Sequence, residues 1–494
     1  MRIVQRVAPI AVDRRRAGHG FRTAGRLVCA ALAGGLAACS SLINVDRPIG
    51  MPDPVKQEEA APPQNREHRR ILAAYGGGYA DPRLEALIAG MVDQLVAASE
   101  RPEQRYKVTI LNSPAINAFA LPTGQLYVTR GLLGLANDKA ELASVLAHEM
   151  AHVLADHAAI RESEARRAAI IANTTVDAVT DSTGALALAK SKIALARFSR
   201  AQEFEADGIG IGIAARAGYD PHGAERFLNS MNRFAGLRSA SSADPRSLDF
   251  LSSHPATPER IENAANIARQ YAGGARDAAE YLATLDGLVY GEDPVEGFVR
   301  GRRFAHPKLG FAFTAPEGFT LENTAKAVLG TKQGGEQALR LDIVRLETEP
   351  VLASYINSGW IENIEPGSVQ EMTVGGFAAA TATAKGEDWW FRLFVVRYGK
   401  EVFRFIFATK NKSPEIDRTF RESMNSFRRL SLAEAAAAKP LRIKVVTVAP
   451  DDTVERLAAR MALLDRQEQR FRVLNGIAPN ARLKPGDRMK IVVE

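Results

Sequence analysis

The residues whose spacing most directly implies chemistry are His148-Glu149-Met150-Ala151-His152. On a helix, residues four apart share a face one turn along, so both imidazoles can reach one ion while Glu149 stands beside it. This is the H-E-x-x-H arrangement, in which two histidines bind Zn2+ and the glutamate acts as general base in peptide hydrolysis. In a chain with eight histidines in 494 residues, the pattern arises by chance on the order of once in a hundred. Two solvated histidines beside a solvated glutamate are the competing reading.

A catalytic zinc wants three protein ligands and one open position. A third histidine six residues beyond His152 is absent, since positions 155 and 158 are both alanine. His157, five residues beyond His152, is expected to point away from the ligand face as a helix-end or packing residue. A second helix beginning at Ser199 offers the third ligand. Glu203 and Asp207 are i and i+4 and share a face, with Glu205 turned to the opposite side. Glu203 is the candidate ligand, and Asp207 the acceptor that fixes the second ring N–H of a ligand histidine; an exposed acidic face is the alternative. His254 precedes Pro255, and Thr257-Pro258 reads as an N-cap and first helical position, so His254 sits on a loop entering a helix. His222 and His306 read as structural or solvated.

The elements that must position these groups are a helix over 141–158, a strand over 106–111 and an apolar stretch over 117–129 broken by Pro122-Thr123-Gly124. Residues 66–290 are mostly helical in pattern. A different regime begins near Pro294, with alternating or aromatic segments at 310–315, 338–346, 377–384, 389–398 and 402–409 and helices at 351–361 and 414–430, which together read as an antiparallel α+β domain. Trp389, Trp390 and Phe391 read as core, with a ligand platform as the alternative. An Ala-rich linker over 433–440 leads to a last unit over 440–494.

The chain carries a net charge of +7, which would invite a nucleic-acid or anionic-membrane partner. Position removes that invitation. Residues 1–38 hold seven arginines against the single acid Asp13, hence six of the seven net charges. A basic segment, the short apolar run 27–38 and small residues at its end are the pattern of an export signal, and no nucleic acid is expected. Leu36-Ala37-Ala38-Cys39 resembles a bacterial lipobox, which implies lipidation of Cys39 and a membrane attachment through lipid. Ser40 in the next position resembles lipoproteins sorted to the outer membrane. Residues 39–65, rich in Pro, Glu, Asp and Gln, read as a tether. No apolar run after the signal is long enough for a spanning helix.

His148–His152 followed by Glu203-Phe204-Glu205-Ala206-Asp207, with Asn117-Ala118-Phe119-Ala120-Leu121-Pro122 and Gly131-Leu132-Leu133 ahead of them, resembles the gluzincin metallopeptidases that include the CAAX prenyl proteases, HtpX and the periplasmic BepA and LoiP proteins. The resemblance covers roughly residues 70–270. It implies a zinc metalloendopeptidase on the periplasmic side of the envelope, with Asn117, Ala118, Phe119 and Ala120 forming the edge strand along which an extended substrate pairs. It also implies that His254 can occupy the open zinc position and hold the enzyme latent; a loop histidine bonded only to backbone is the alternative.

Lys308-Leu309-Gly310-Phe311 and Pro316-Glu317-Gly318-Phe319 look like the start of a PsbP-like fold. Pro450-Asp451-Asp452-Thr453, Leu474-Asn475-Gly476-Ile477 and Leu483-Lys484-Pro485-Gly486-Asp487 resemble a LysM module, which implies peptidoglycan as a partner. The expected architecture is therefore multidomain: signal peptide 1–38, tether 39–65, a mainly α zincin-type metalloprotease domain 66–290, an α+β PsbP-like domain 295–432 and a small βααβ LysM-like module 440–494. The expected substrates are misfolded or unassembled envelope proteins. A chaperone-like or scaffolding lipoprotein with a latent zinc site, or a peptidoglycan endopeptidase, are the rival readings.

Overall fold

The computed structural model describes residues 63–161, 163, 199–239, 250–324, 327–346, 348–386, 388–463 and 465–494. The expected signal, Cys39 and the tether up to position 62 lie outside the described residues, and helix α1 (Pro63–Ala74) already begins at the end of the expected tether. Asp81 starts helix α2 (Pro82–Ala97) by accepting hydrogen bonds from the N–H groups of Arg83 and Leu84, with Pro82 at the first helical position. Its buried residues Leu84, Ile88, Met91, Val92 and Leu95 recur every three to four positions and face the main core.

Strands β1 (Lys107–Leu111), β2 (Ala118–Leu121) and β3 (Gln125–Thr129) form a sheet in the order β1-β3-β2, with β1 parallel and β2 antiparallel to β3. The β2–β3 turn depends on Gly124: its φ is +82°, and a Cβ there would lie 2.5 Å from the Arg105 carbonyl oxygen. The hairpin leaves β2 at the sheet edge. Helix α3 (Arg130–Leu135) follows, then α4 (Lys139–Leu154), whose N-cap Asp138 accepts the Glu141 N–H. Residues Ala140 to Val153 of α4 are all buried, so it is the central helix of the unit rather than an amphipathic one.

Helix α4 is shorter than the 141–158 expected. Arg101 Nη2 donates to the Leu154 carbonyl at 3.1 Å, and Asp156 takes a left-handed φ of 52°, which turns the chain before it becomes helical again at 157–161. Helix α5 (Arg200–Arg216) opens on a Ser199–Gln202 capping box and packs across α4. At the crossing, a Cβ on Gly210 would stand 2.9 Å from the His148 backbone nitrogen, so the two backbones meet closely. Helices α6 (Gly223–Ser239), α7 (Phe250–Ser253), α8 (Pro258–Ala268) and α9 (Ala278–Leu285) complete the helical region.

The β-rich region begins after the two-residue strand β4 (Val289–Tyr290). Its strands are β5 (Phe298–Arg300), β6 (Arg303–His306), β7 (Phe311–Thr314), β8 (Phe319–Asn323), β9 (Val328–Lys332), β10 (Gln337–Arg345), β11 (Gln370–Val374), β12 (Phe377–Lys385), β13 (Trp390–Tyr398), β14 (Glu401–Thr409) and β15 (Arg428–Arg429). Seven of them make an antiparallel sheet, β11-β12-β13-β14-β10-β9-β8, and four make β15-β7-β6-β5. Alternation along β13 serves two cores: Phe394 and Val396 pack with Phe311 and Phe313, while Phe391, Leu393 and Val395 pack with Leu352 and Ile356. Trp389 and Phe391 are core residues.

Two helices here are shorter than expected. Helix α10 is Leu352–Ile356, because the chain turns through Gly359 at φ +88° instead of continuing to 361. Helix α11 is Pro414–Asn425, because residues 428–429 leave it to pair with β7 as β15. Within the Ala-rich linker, helix α12 (Leu432–Ala437) forms.

The last unit is βααβ: β16 (Leu441–Thr447), α13 (Val454–Ala459), α14 (Gln467–Leu474) and β17 (Arg488–Val493). Strand β16 pairs with β17 on one side and with β4 on the other, and Ile443 and Val473 join the main core around α2 and α4. Lys490 on β17 is completely buried and donates from Nζ to the carbonyls of Gly134 and Ala136, each at 2.7 Å, at the C-terminal end of α3. The unit is thus built into the helical region rather than hung from it.

Candidate metal centre

Helix α4 presents His148 and His152 one turn apart, and their Nε2 atoms lie 3.1 Å from each other. Glu203 comes from the first turn of α5, held against α4 by the Gly210 approach, with its carboxylate 3.6 Å from His148 Nε2 and 3.5 Å from His152 Nε2. His254 enters from the loop between α7 and α8, with Nδ1 2.8 Å from Glu203 Oε1 and 3.3 Å from His148 Nε2. One ligand atom from each of the four residues lies within 4.8 Å of the others, and all four side chains are buried. Donors about 2.0 to 2.1 Å from a tetrahedral zinc stand about 3.3 Å apart, which is the spacing found here.

The surroundings suit a cation. Asp207 Oδ1 takes the second ring nitrogen of His148 at 3.0 Å, leaving Nε2 of that ring to face the cluster. Glu149 Oε1 is buried with no hydrogen-bond partner among the described residues and lies 3.7 Å from His254 Nε2. Burial pushes the Glu149 carboxyl up to about 8 and, opposed by Glu203, pushes His152 down to about 3 and His254 to about 4. Burial alone would raise Glu203, but hydrogen bonds from His152 and His254 hold it well below the usual carboxylate range. Against the burial that would lower His148, Asp207 and Glu203 raise it, so the cluster joins neutral His152 and His254 and an ionised Glu203 to a His148 turned toward the same point by Asp207, a nitrogen and carboxylate donor set of the kind a zinc ion takes.

The contacts of three residues around this cluster were not foreseen. His157, expected to point away, is brought back by the turn at Asp156 and sets its Nδ1 2.8 Å from His152 Nδ1; Glu205, on the other flank of α5, meets His157 Nε2 at 3.3 Å. Arg260, in the first turn of α8, bonds both Asp207 oxygens and lies 2.6 Å from Glu203 Oε2. The available signal was an arginine where the helix dipole disfavours a cation.

Asn117 is buried ahead of β2 and donates from Nδ2 to the Tyr75 hydroxyl at 2.8 Å; Ala118 is buried, while Phe119 and Ala120 are half-buried along the edge strand. The Phe250 N–H bonds the Ile116 carbonyl at 2.8 Å, and its ring stacks on His254 at 4.3 Å, which ties the His254 loop to the lead-in of β2. His222 pairs with Glu225 at 2.9 Å, and His306 is buried in the β-rich region, both away from the cluster. No helix among the described residues is long and apolar enough to cross a membrane.

Comparison with known proteins gives a family match and partial relatives. Residues 82–268 match peptidase family M48. The chain is 30% identical over 175 residues to the mitochondrial metalloendopeptidase OMA1 of Schizosaccharomyces pombe, covering 35% of this chain and 50% of that protein. It is 29% identical over 200 residues to the beta-barrel assembly-enhancing protease of Yersinia pestis, covering 38% of this chain and 40% of that protein. The matches thus span half or less of these relatives' own lengths. The solution structure of PsbP from Synechocystis sp. PCC 6803 aligns with 28% of this chain and 98% of that one at 13% identity, but its TM-score of 0.22 is too low to bear on the fold. Residues 82–268, which contain the whole four-residue cluster, thus match peptidase family M48, and part of the chain is similar to the beta-barrel assembly-enhancing proteases.

Proposed function

We propose that this protein is a zinc-dependent metalloendopeptidase of the bacterial envelope. The observation that carries this reading is the convergence of His148, His152, Glu203 and His254 beside the buried, unbonded Glu149 oxygen. When bound there, zinc supplies a Lewis acid that polarises a peptide carbonyl and acidifies water. Glu149 takes the proton of the attacking water as its oxygen bonds the carbonyl carbon, then delivers that proton to the amine nitrogen as the C–N bond breaks. Asp207 and Arg260 hold the ligand set in register from behind. The edge strand β2 receives an extended peptide by main-chain hydrogen bonds, which favours unfolded or unassembled envelope proteins over any one side-chain sequence.

His254 makes the donor set four protein groups, the closed arrangement of structural rather than catalytic zinc. The enzyme is accordingly latent in this state, and cleavage requires His254 to withdraw. A constitutively closed site in a chaperone-like lipoprotein is the reading this same observation would favour second. Around the catalytic unit we assign 1–38 to an export signal, Cys39 to lipid attachment at the outer membrane, and the βααβ unit to a LysM-like contact with peptidoglycan.

Zinc content and casein cleavage by wild type, His254→Ala and Glu149→Gln/His254→Ala test the proposal. One zinc per chain in each, with cleavage raised in His254→Ala and abolished in the double variant, is expected. Cleavage retained by the double variant overturns the mechanism; tight zinc with no cleavage in any of the three favours the chaperone-like reading.

A further inference from the structure

Asp207 holds one ligand histidine, His148, through its second nitrogen. The equivalent nitrogen of His152 meets another imidazole. His152 Nδ1 and His157 Nδ1 are 2.8 Å apart, the rings 4.9 Å between centroids at 67°, and His157 is 1% exposed. The far nitrogen of His157 lies 3.3 Å from Glu205 Oε2, on a side chain 59% exposed to solvent.

The proton positions along this chain follow from its outer end. The Glu205 carboxylate oxygen is the acceptor, so His157 Nε2 carries the proton and donates to it. With its proton on Nε2, His157 presents Nδ1 as the acceptor for His152 Nδ1. That places the proton of His152 on Nδ1 and leaves the lone pair on Nε2, the atom facing Glu203 and His148. The reverse direction would put a proton on the nitrogen that must bind metal. Three local features produce the geometry: the Arg101 cap on the Leu154 carbonyl, the left-handed Asp156, and Glu205 two residues beyond Glu203 on α5.

We infer that His157 and Glu205 are positioning residues that fix the tautomer and ring orientation of His152, making His152-His157-Glu205 the counterpart of the His148-Asp207 pair. The inference rests on the zinc reading above. It gives the two ligand histidines different supports: one ends on a buried carboxylate clamped by Arg260, the other reaches a carboxylate in contact with water. A supporting hydrogen bond of this kind changes metal affinity about 10- to 100-fold when removed.

The test is a zinc competition titration against a chromophoric chelator on the full chain, with thermal melting of the same samples. His157→Phe, which keeps bulk and removes the acceptor, is expected to bind zinc about 10- to 100-fold more weakly. His157→Gln, whose side-chain oxygen can still accept from His152, is expected to recover most of that loss. Glu205→Leu, at an exposed position with little bearing on folding, is expected to weaken zinc binding by a smaller factor. Wild-type affinity in both His157→Phe and Glu205→Leu overturns the inference while leaving the zinc reading intact. A wild-type protein that takes up no zinc overturns both. If His157→Phe loses its melting transition, Glu205→Leu decides: weakened zinc binding supports the inference and wild-type binding overturns it.

Discussion

Arg260 holds Asp207 through two parallel hydrogen bonds, Nε to Oδ2 at 2.8 Å and Nη2 to Oδ1 at 2.7 Å, with both side chains buried. The fork matches the carboxylate plane, and its remaining nitrogen also reaches Glu203. Replacing Arg260 by leucine leaves two buried acids without their cation. We expect a loss of about 3 to 5 kcal/mol in the metal-free protein, read by urea unfolding. Arg260→Lys keeps the charge but not the fork, and an intermediate loss is expected.

Gly210 is the point at which α5 approaches α4, beneath His148. Alanine in a helix normally gains about 1 kcal/mol over glycine. Here the added methyl would meet backbone at 2.9 Å, which cannot rotate away. Gly210→Ala is expected to lose about 1 to 3 kcal/mol instead and to weaken zinc binding, because it pushes Glu203 away from the two histidines. A melting temperature equal to or above wild type would refute this.

Lys490 and Glu141 are buried neighbours whose charges support one another: burial lowers the lysine and raises the glutamate, and each is opposed by the other's charge. Lys490→Met strips the α3 carbonyls of their donor and leaves Glu141 with Arg226 alone, at 3.7 Å, for an expected loss of about 3 kcal/mol. Adding Glu141→Gln to it should cost less than the two single changes together, by about 0.5 to 3 kcal/mol in a double-mutant cycle. Simple additivity would show that the charges do not communicate.

His306 supplies a pH dependence remote from the metal centre. Burial, with a smaller contribution from Lys308, pushes its pKa from 6.5 down to about 4. Between those values the unfolded chain binds more protons than the folded one, so this contribution to stability is complete above pH 6.5 and is lost as the pH falls toward 4. His306→Phe should remove on the order of 3 kcal/mol from the difference in stability between pH 7 and pH 4. Parallel stability curves for variant and wild type would contradict it.

Much of the centre was legible because it is local. His148, Glu149 and His152 are set by one helix turn, and Glu203 and Asp207 by another. His157 was misread because the helix was extended through Asp156, and a left-handed aspartate leaves no mark in the sequence. Strands β12, β13 and β14 followed from alternation, but the adjacency of β10 and β14 did not, since that pairing joins segments distant in the chain. Lys490 was invisible for the same reason: on a short strand, a lysine between apolar residues reads as solvent-facing, and only the carbonyls of α3 explain its burial.

The bond from Lys490 to Gly134 joins positions 356 residues apart. At synthesis rates of about 5 to 20 residues per second, the carbonyls ahead of the zinc-motif helix wait roughly 20 to 70 s for their cation. A nascent or truncated chain that carries the whole H-E-x-x-H segment therefore still lacks a keystone of its scaffold. Bracing of α3 is deferred until residue 490 has been made, and a copy clipped before that point loses it.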